Sequence, residues 1–474
     1  MFLRQIHDPA LAQYAYLIGC QRTGEAVVID PERDVDRYLQ LARENDLELT
    51  SVADTHIHAD YLSGARELVE RHGMKGYFSA EGGDEWQFEW AKGRKGVTLL
   101  RDGDSFHVGK IEIKALLTPG HTPEHLSFLV IDHGGGADDD PMALLSGDFL
   151  FVGDVGRPDL LESAAGQAGA MKPAARTLYE SLRRTAALPG FLQVLPAHGA
   201  GSACGKSLGA VPSSVLDYER RHNSALRLAL EGEREDFVGT ILDGQPEPPP
   251  YFARMKRDNR RGPALLADGR LPEPRRISAD ELGGWVEAEG RRILDLRSDR
   301  EAFMERHARG ALFAPRSGGR HSVAAGSYVD EDEAVLLLVN SEDEVAPVVR
   351  DLIRIGLDRV EAWMPVGEAL EAGEWTTSIR RITTSELGQE LEGGGQVLDV
   401  RGAGEFAAGH VKDAVNVAHT RLLPRLGEVP EGRLLVHCET GRRAAMAAAF
   451  LASEGREVVH VDGEFEDMPE DLKA

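Results

Sequence analysis

Through the first half of the chain, apolar residues come in short runs separated by Gly- and Asp-rich loops. Ala26-Val27-Val28-Ile29, Leu47 to Val52, Ile111 to Leu116 and Leu126 to Val130 read as strands. Between some of them the apolar spacing is helical, as in Val35 to Asn45. The stretch Gln245 to Pro263 combines Pro-Glu-Pro-Pro-Pro with an Arg/Lys-rich segment and reads as a domain boundary.

Beyond it the pattern repeats. Ile293-Leu294-Asp295-Leu296-Arg297 is echoed by Val397-Leu398-Asp399-Val400-Arg401, and Glu301, Phe303 and His307 by Glu405, Phe406 and His410. The apolar run Val335 to Val339, followed by Asn340, is echoed by Leu434 to His437, followed by Cys438. Each copy opens with a helix-entry signal, Ser278-Ala279-Asp280-Glu281 and Thr384-Ser385-Glu386. Alternating strands and helices predict a mostly parallel sheet with helices on its faces.

At 474 residues the chain exceeds a single core and suggests about three domains. With 42% hydrophobic and 28% charged residues it has the composition of a soluble globular protein. A net charge of -25 argues against nucleic acid, because few phosphates could be neutralised, and against an anionic membrane surface. Met1 to Tyr16, interrupted by Arg4, His7, Asp8 and Pro9, lacks the apolar centre of a signal peptide. No apolar stretch approaches the ~20 residues of a membrane span. Three widely separated cysteines, Cys20, Cys204 and Cys438, cannot form an even disulfide framework. A reducing cytoplasm is the expected location.

The chemistry concentrates in four clusters: Asp54-Thr55-His56-Ile57-His58-Ala59-Asp60-Tyr61, Thr118-Pro119-Gly120-His121-Thr122, Ser146-Gly147-Asp148 and Pro196-Ala197-His198-Gly199. Imidazole and carboxylate gathered on loops at strand ends suit zinc or iron. In that order and with those gaps the clusters resemble the metallo-β-lactamase superfamily, except that Tyr61 stands where its His-x-His-x-Asp-His signature ends in histidine. Tyr61 removes a nitrogen ligand from the second metal position, which disfavours a paired-zinc hydrolase. What remains is similar to the persulfide dioxygenase branch. That resemblance implies one Fe(II) per chain held by His56, His121 and Asp148, with His58, Asp60 and His198 around them. Gly156-Arg157-Pro158-Asp159 matches a further motif of the branch; a structural role and a substrate contact are both open for Arg157. His125 is expected not to ligate.

Cys438 follows an apolar strand and precedes a helix-forming run, Arg443 to Ala452. Free amides at a helix N-terminus favour an anionic sulfur nucleophile, and Arg442 and Arg443 add positive charge. Asp-Val-Arg, Glu-Phe, Gly-His and then Cys-x-x-Gly-x-Arg resemble the rhodanese sulfurtransferases, whose six-residue active loop Cys438 to Arg443 reproduces. Asp399, Arg401 and Glu405 match the framework of that family. The first copy has Asn340-Ser341-Glu342-Asp343-Glu344 instead and is degenerate. Cys204 lies a few residues past His198 and has two open readings, a thiol that receives or presents sulfur near the iron, or a small loop residue. Cys20 reads as buried and inert.

Together these resemblances imply a bacterial persulfide dioxygenase–sulfurtransferase fusion enzyme. The expected fold is mixed α/β and α+β: an αββα metallo-β-lactamase fold over 1–245, a linker over 246–272, a degenerate rhodanese-like domain over 273–378 and an active one over 379–474. The implied partners are a low-molecular-weight thiol persulfide, O2, and sulfite and thiosulfate, in a homo-oligomer without nucleic acid or membrane. A zinc thioesterase of the glyoxalase II type and a non-catalytic sulfur carrier or sensor are the alternatives.

Overall fold

The computed structural model describes residues 1–135, 140–163, 169–245 and 247–474. The chain divides into two compact units, 1–248 with 252–270, and 249–251 with 271–474.

The first unit holds two six-stranded sheets. One runs Phe2–Asp8, Gln13–Gly19, Glu25–Ile29, Glu48–Ala53, Lys75–Ser79, Val97–Leu100 in hydrogen-bonded order. The other runs Ser214–Val215, Gln193–Pro196, Ala143–Gly147, Leu126–Asp132, Ile111–Leu117, Ser105–Val108. Alternate residues of each strand face opposite ways. Tyr16, Ile18, Val27 and Ile29 therefore pack against Phe106, Ile113, Phe128 and Leu145 between the sheets. Leu17, Val28 and Val52 turn outward onto Tyr38, Ala42 and Leu68 of flanking helices. Leu144 and Val194 do the same onto Leu178, Leu182 and Phe237. This is the αββα layering that the resemblance to the metallo-β-lactamase superfamily implies. Strands covered on both faces lose the apolar/polar alternation, as Gln13–Gly19, buried throughout, shows.

The second unit holds two five-stranded parallel sheets of identical topology. In the first, Arg275–Arg276, Val360–Pro365, Ala334–Val339, Arg291–Asp295 and Ala311–Phe313 lie side by side. In the second, Arg380–Thr383, Val458–Asp462, Leu434–His437, Gln396–Asp399 and Val415–Asn416 do so. Counting sheet strands along each copy, both have the order first, fifth, fourth, second, third. Capping boxes, Ser278 with Glu281 and Thr383 with Glu386, open corresponding helices.

The stretch from 246, whose first residue lies outside the described ones, to 272 is not simply a connector. Tyr251–Arg261 is a helix, and residues 252–270 belong to the first unit. No helix among the described residues is long and apolar enough to cross a membrane.

Candidate functional site

The loops that follow the strands of the first unit gather His56, His121 and Asp148, all buried, with ligand atoms within 4.8 Å of one another. Each histidine is held by its Nδ1. Asp30 accepts the Thr55 amide at 2.7 Å and the Thr55 hydroxyl at 3.0 Å. Having donated its proton, that hydroxyl accepts from His56 Nδ1 at 2.9 Å. His121 Nδ1 lies 3.0 Å from the Arg157 carbonyl, which only accepts. Both rings therefore keep a lone pair on Nε2, the tautomer a metal requires. These two Nε2 atoms lie 4.0 and 3.5 Å from Asp148 Oδ2. That oxygen is buried without a hydrogen-bond partner. Burial, reinforced by neighbouring imidazoles, holds His56 well below its usual pKa; burial also lowers His121. Two neutral imidazoles aimed at an orphaned carboxylate oxygen fit a divalent metal.

The surrounding groups hold this trio. His198 spans two carboxylates, Nδ1 to Asp148 Oδ1 and Nε2 to Asp60 Oδ2, each at 2.7 Å. Burial opposes charge on this ring, but Asp148 and Asp60 raise its pKa well above the usual value. His125 accepts the Asp148 amide on Nε2 at 3.0 Å, and its Nδ1 lies 2.9 Å from the Thr118 hydroxyl. Burial drives its pKa down to about 3. Gly147 has φ +55°, and a Cβ there would meet His125 Nε2 at 2.5 Å. Gly156 is tighter: a Cβ would lie 1.7 Å from the Asp148 carbonyl oxygen.

His58 turns elsewhere. Its Nε2 is 3.2 Å from Asp30 Oδ1 and 3.0 Å from the Tyr61 hydroxyl. The Tyr61 ring stacks on His58 with centroids 4.4 Å apart, and burial raises its phenol pKa far above the usual range. Tyr61 thus occupies the signature's last position as a hydrogen-bonding support.

Arg157 is fully buried. Its Nε meets Asp159 Oδ1 at 2.8 Å and its Nη1 donates to the Ala203 carbonyl at 2.9 Å. Its side chain ties the Cys204 loop to the segment whose carbonyl orients His121. Cys204 is buried, with its sulfur in one cluster with Asp60 and His198. Burial and the charges of Asp148 and Asp60 raise its pKa well above the usual value, so it is a thiol. Cys20 lies apart, its sulfur accepting the Lys110 amide at 3.3 Å. Although burial opposes it, this and other local hydrogen bonds lower its pKa to about 7.

Asn259 is a residue that no motif marks. Its Nδ2 donates to the carbonyls of His58 and Tyr61 at 2.8 and 2.7 Å, and its Oδ1 accepts the Ser63 amide at 2.8 Å. It pins the loop carrying the first cluster from about 200 residues away. Only its place on an amphipathic helix in an apparent linker could have drawn notice.

In the second unit, Cys438 is buried at the end of Leu434–His437, ahead of the helix Arg442–Ser453. Its sulfur accepts the Ala444 amide at 3.3 Å. Arg443 makes two 2.6 Å hydrogen bonds to Glu405. Arg442, in the first helical turn, is exposed. Arg401 binds Asp399 and the Gly409 carbonyl; Arg297 binds Asp295 and the Arg306 carbonyl in the same way. The equivalent of the active loop in the first copy is filled from within: Glu344 accepts the Asn340 amide at 3.0 Å. Arg300 of the first copy reaches the Cys438 loop, donating to the Thr440 carbonyl at 3.1 Å and pairing with Asp462 at 2.7 Å.

Comparison with known proteins gives two family matches: metallo-β-lactamase superfamily over residues 8–198 and rhodanese-like domain over 383–470. The mitochondrial persulfide dioxygenase ETHE1 of Bos taurus is 30% identical over 236 residues, covering 49% of this chain and 78% of that protein. Its Homo sapiens counterpart is 30% identical over 233 residues, with the same coverage. A crystal structure of a metallo-β-lactamase from Staphylococcus aureus subsp. aureus COL is 35% identical with a TM-score of 0.67. It covers 77% of this chain and 99% of its own.

Proposed function

Because the chain belongs to the persulfide dioxygenase family within the metallo-β-lactamase superfamily, fused to a rhodanese-like domain, we propose that it oxidises a low-molecular-weight thiol persulfide and transfers sulfane sulfur to the sulfite formed. The oxidation is RSSH + O2 + H2O → RSH + SO3²⁻ + 2H⁺, in which the terminal sulfur gives up four electrons to dioxygen. The transfer is RSSH + SO3²⁻ → RSH + S2O3²⁻. The pair removes sulfide-derived sulfur in the cytoplasm as thiosulfate.

The observation that carries the oxidation is the buried, partnerless Asp148 Oδ2 faced by two Nε2 lone pairs. His56, His121 and Asp148 form a two-histidine, one-carboxylate set for a single ferrous iron. When bound, that iron would supply the redox chemistry of the oxidation. The residues around it supply orientation and a proton store. Thr55 and the Arg157 carbonyl fix the two imidazole tautomers, and His125 holds the Asp148 backbone. His198 keeps a proton between Asp60 and Asp148.

In the second reaction, Cys438 attacks the terminal sulfur of the carrier persulfide. The S–S bond of the carrier breaks, a new one forms at Cys438, and the carrier leaves as thiolate. Sulfite then takes the outer sulfur and returns the Cys438 thiolate. Glu405 fixes Arg443 beside this loop, and Arg442 adds charge at its mouth. One chain carrying both reactions raises the concentration of sulfite near its acceptor.

Metal analysis joined to an oxygen electrode tests the reading. The purified protein should hold about one iron per chain and consume O2 with a thiol persulfide, and His121→Ala should lose both. Two tightly held zinc ions with thioesterase activity, or sulfur binding without O2 uptake, would replace it with the hydrolase or the carrier reading.

A further inference from the structure

In the second unit, a cavity of about 580 Å³ opens between the two rhodanese-type sheets' helices, beside the Cys438 loop. Arg300 and Arg320 come to it from the degenerate copy and Arg442 from the first turn of the helix behind Cys438. Its acidic residues are engaged: Asp299 caps its own helix at the Ala302 amide, and Glu301 pairs with Arg381 at 2.7 Å. Arg300 is occupied by Thr440 and Asp462. Arg320 donates to the Ser317 carbonyl at 3.2 Å, and neither it nor Arg442 has a carboxylate partner among the described residues. Two guanidiniums without an ion-pair partner thus face one cavity, against the single carboxylate of Asp299, in a chain of net charge -25.

The cavity is far larger than sulfite or thiosulfate requires. Its size falls in the range of about 300–1,000 Å³ typical of sites for small organic ligands. Guanidinium recognises carboxylate and phosphate oxygens in a planar, forked geometry. We propose that this cavity docks the anionic body of the thiol that carries the persulfide, with Arg320 and Arg442 holding its carboxylate or phosphate oxygens while its sulfur is delivered to Cys438. The degenerate copy, whose own loop is closed by Glu344, then serves as the carrier-binding wall of the active one. The inference rests on Cys438 being the sulfur acceptor.

The test uses full-length protein without oxygen, which silences oxidation, and follows thiosulfate formed from sulfite and three donors: glutathione persulfide, coenzyme A persulfide and uncharged mercaptoethanol persulfide. Arg320→Ala should raise KM for glutathione persulfide, coenzyme A persulfide or both by about tenfold, the loss of one charge-assisted contact, with kcat unchanged. Arg320→Lys should recover part of it. KM for mercaptoethanol persulfide, and for thiosulfate in sulfur transfer to cyanide, should not move. The donor whose KM shifts more distinguishes carboxylate from phosphate recognition. Unshifted KM for both charged donors, with sulfur transfer to cyanide intact, overturns the docking site and leaves Cys438 as the acceptor. An equal rise for thiosulfate overturns it in favour of a bare oxyanion site. Absence of all sulfur transfer in the unaltered protein overturns both readings.

Discussion

Replacing Asn259 with alanine should cost the first unit stability and metal affinity together. The Asn259 side chain is 2% exposed and makes three hydrogen bonds to the loop that carries His56, His58 and Asp60. Truncation orphans one amide, at Ser63, and two carbonyls, at His58 and Tyr61. Each buried orphan costs about 1–3 kcal/mol; entry of water into the vacated space lowers the sum to about 3–5 kcal/mol. Alanine returns only a few tenths of a kcal/mol through helix propensity. A loss of about 3 kcal/mol lowers the melting temperature by roughly 5–10 °C. Loosening the loop should also weaken metal binding by about 10–100-fold. Asn259→Asp is the sharper probe, because it keeps the shape and the Ser63 contact but turns an oxygen onto two carbonyls. It should be at least as damaging as alanine. Thermal unfolding with a chelator present separates the stability loss from the metal loss, and competition with a coloured iron chelator measures the second. If both variants matched the unaltered protein in melting temperature and iron affinity, Asn259 would not be holding the loop.

Gly156→Ala should abolish O2 uptake and most bound metal, because its Cβ would sit 1.7 Å from the Asp148 carbonyl oxygen, which is backbone and cannot swing aside; normal metal content would refute this. Cys438→Ser should leave O2 uptake largely intact and shift product from thiosulfate towards sulfite, since a hydroxyl does not form the persulfide. Chromatography of the products decides it, and undiminished thiosulfate would move the acceptor elsewhere. His419 is half-buried, and loss of water around the ring, with Arg443 nearby, lowers its pKa to about 3. The unfolded chain takes up that proton near pH 6.5 and the folded chain does not, so stability present above pH 6.5 is lost as pH falls from there towards 3. Between pH 7.5 and 5.5 the second unit should lose about 1.4 kcal/mol from this residue. His419→Gln should flatten that part of the urea-unfolding pH profile.

The order of the His/Asp clusters, the short apolar runs and the internal repeat were legible because each is a local pattern. A strand–loop–strand spacing places a cluster at a sheet end whatever else the chain does, and the loss of the thiol from the first copy is plain from the repeat; the sheet register decides that Val339, and not Asn340 as the repeat suggested, stands at the place of Cys438. What each group does was decided by distant partners. His56 and His58 are two residues apart and look equivalent. Yet Thr55 turns the lone pair of His56 towards Asp148, while Asp30 and Tyr61 draw Nε2 of His58 away. His198 spends both nitrogens on Asp60 and Asp148, 138 and 50 residues off. Asn259 and Arg300 carry no motif, and both act on loops brought to them only when the sheets close. Spacing along a chain encodes where a side chain can stand; which nitrogen faces a metal, and which guanidinium faces a cavity, depends on hydrogen bonds formed only in the folded interior, where an unpaired polar atom is costly.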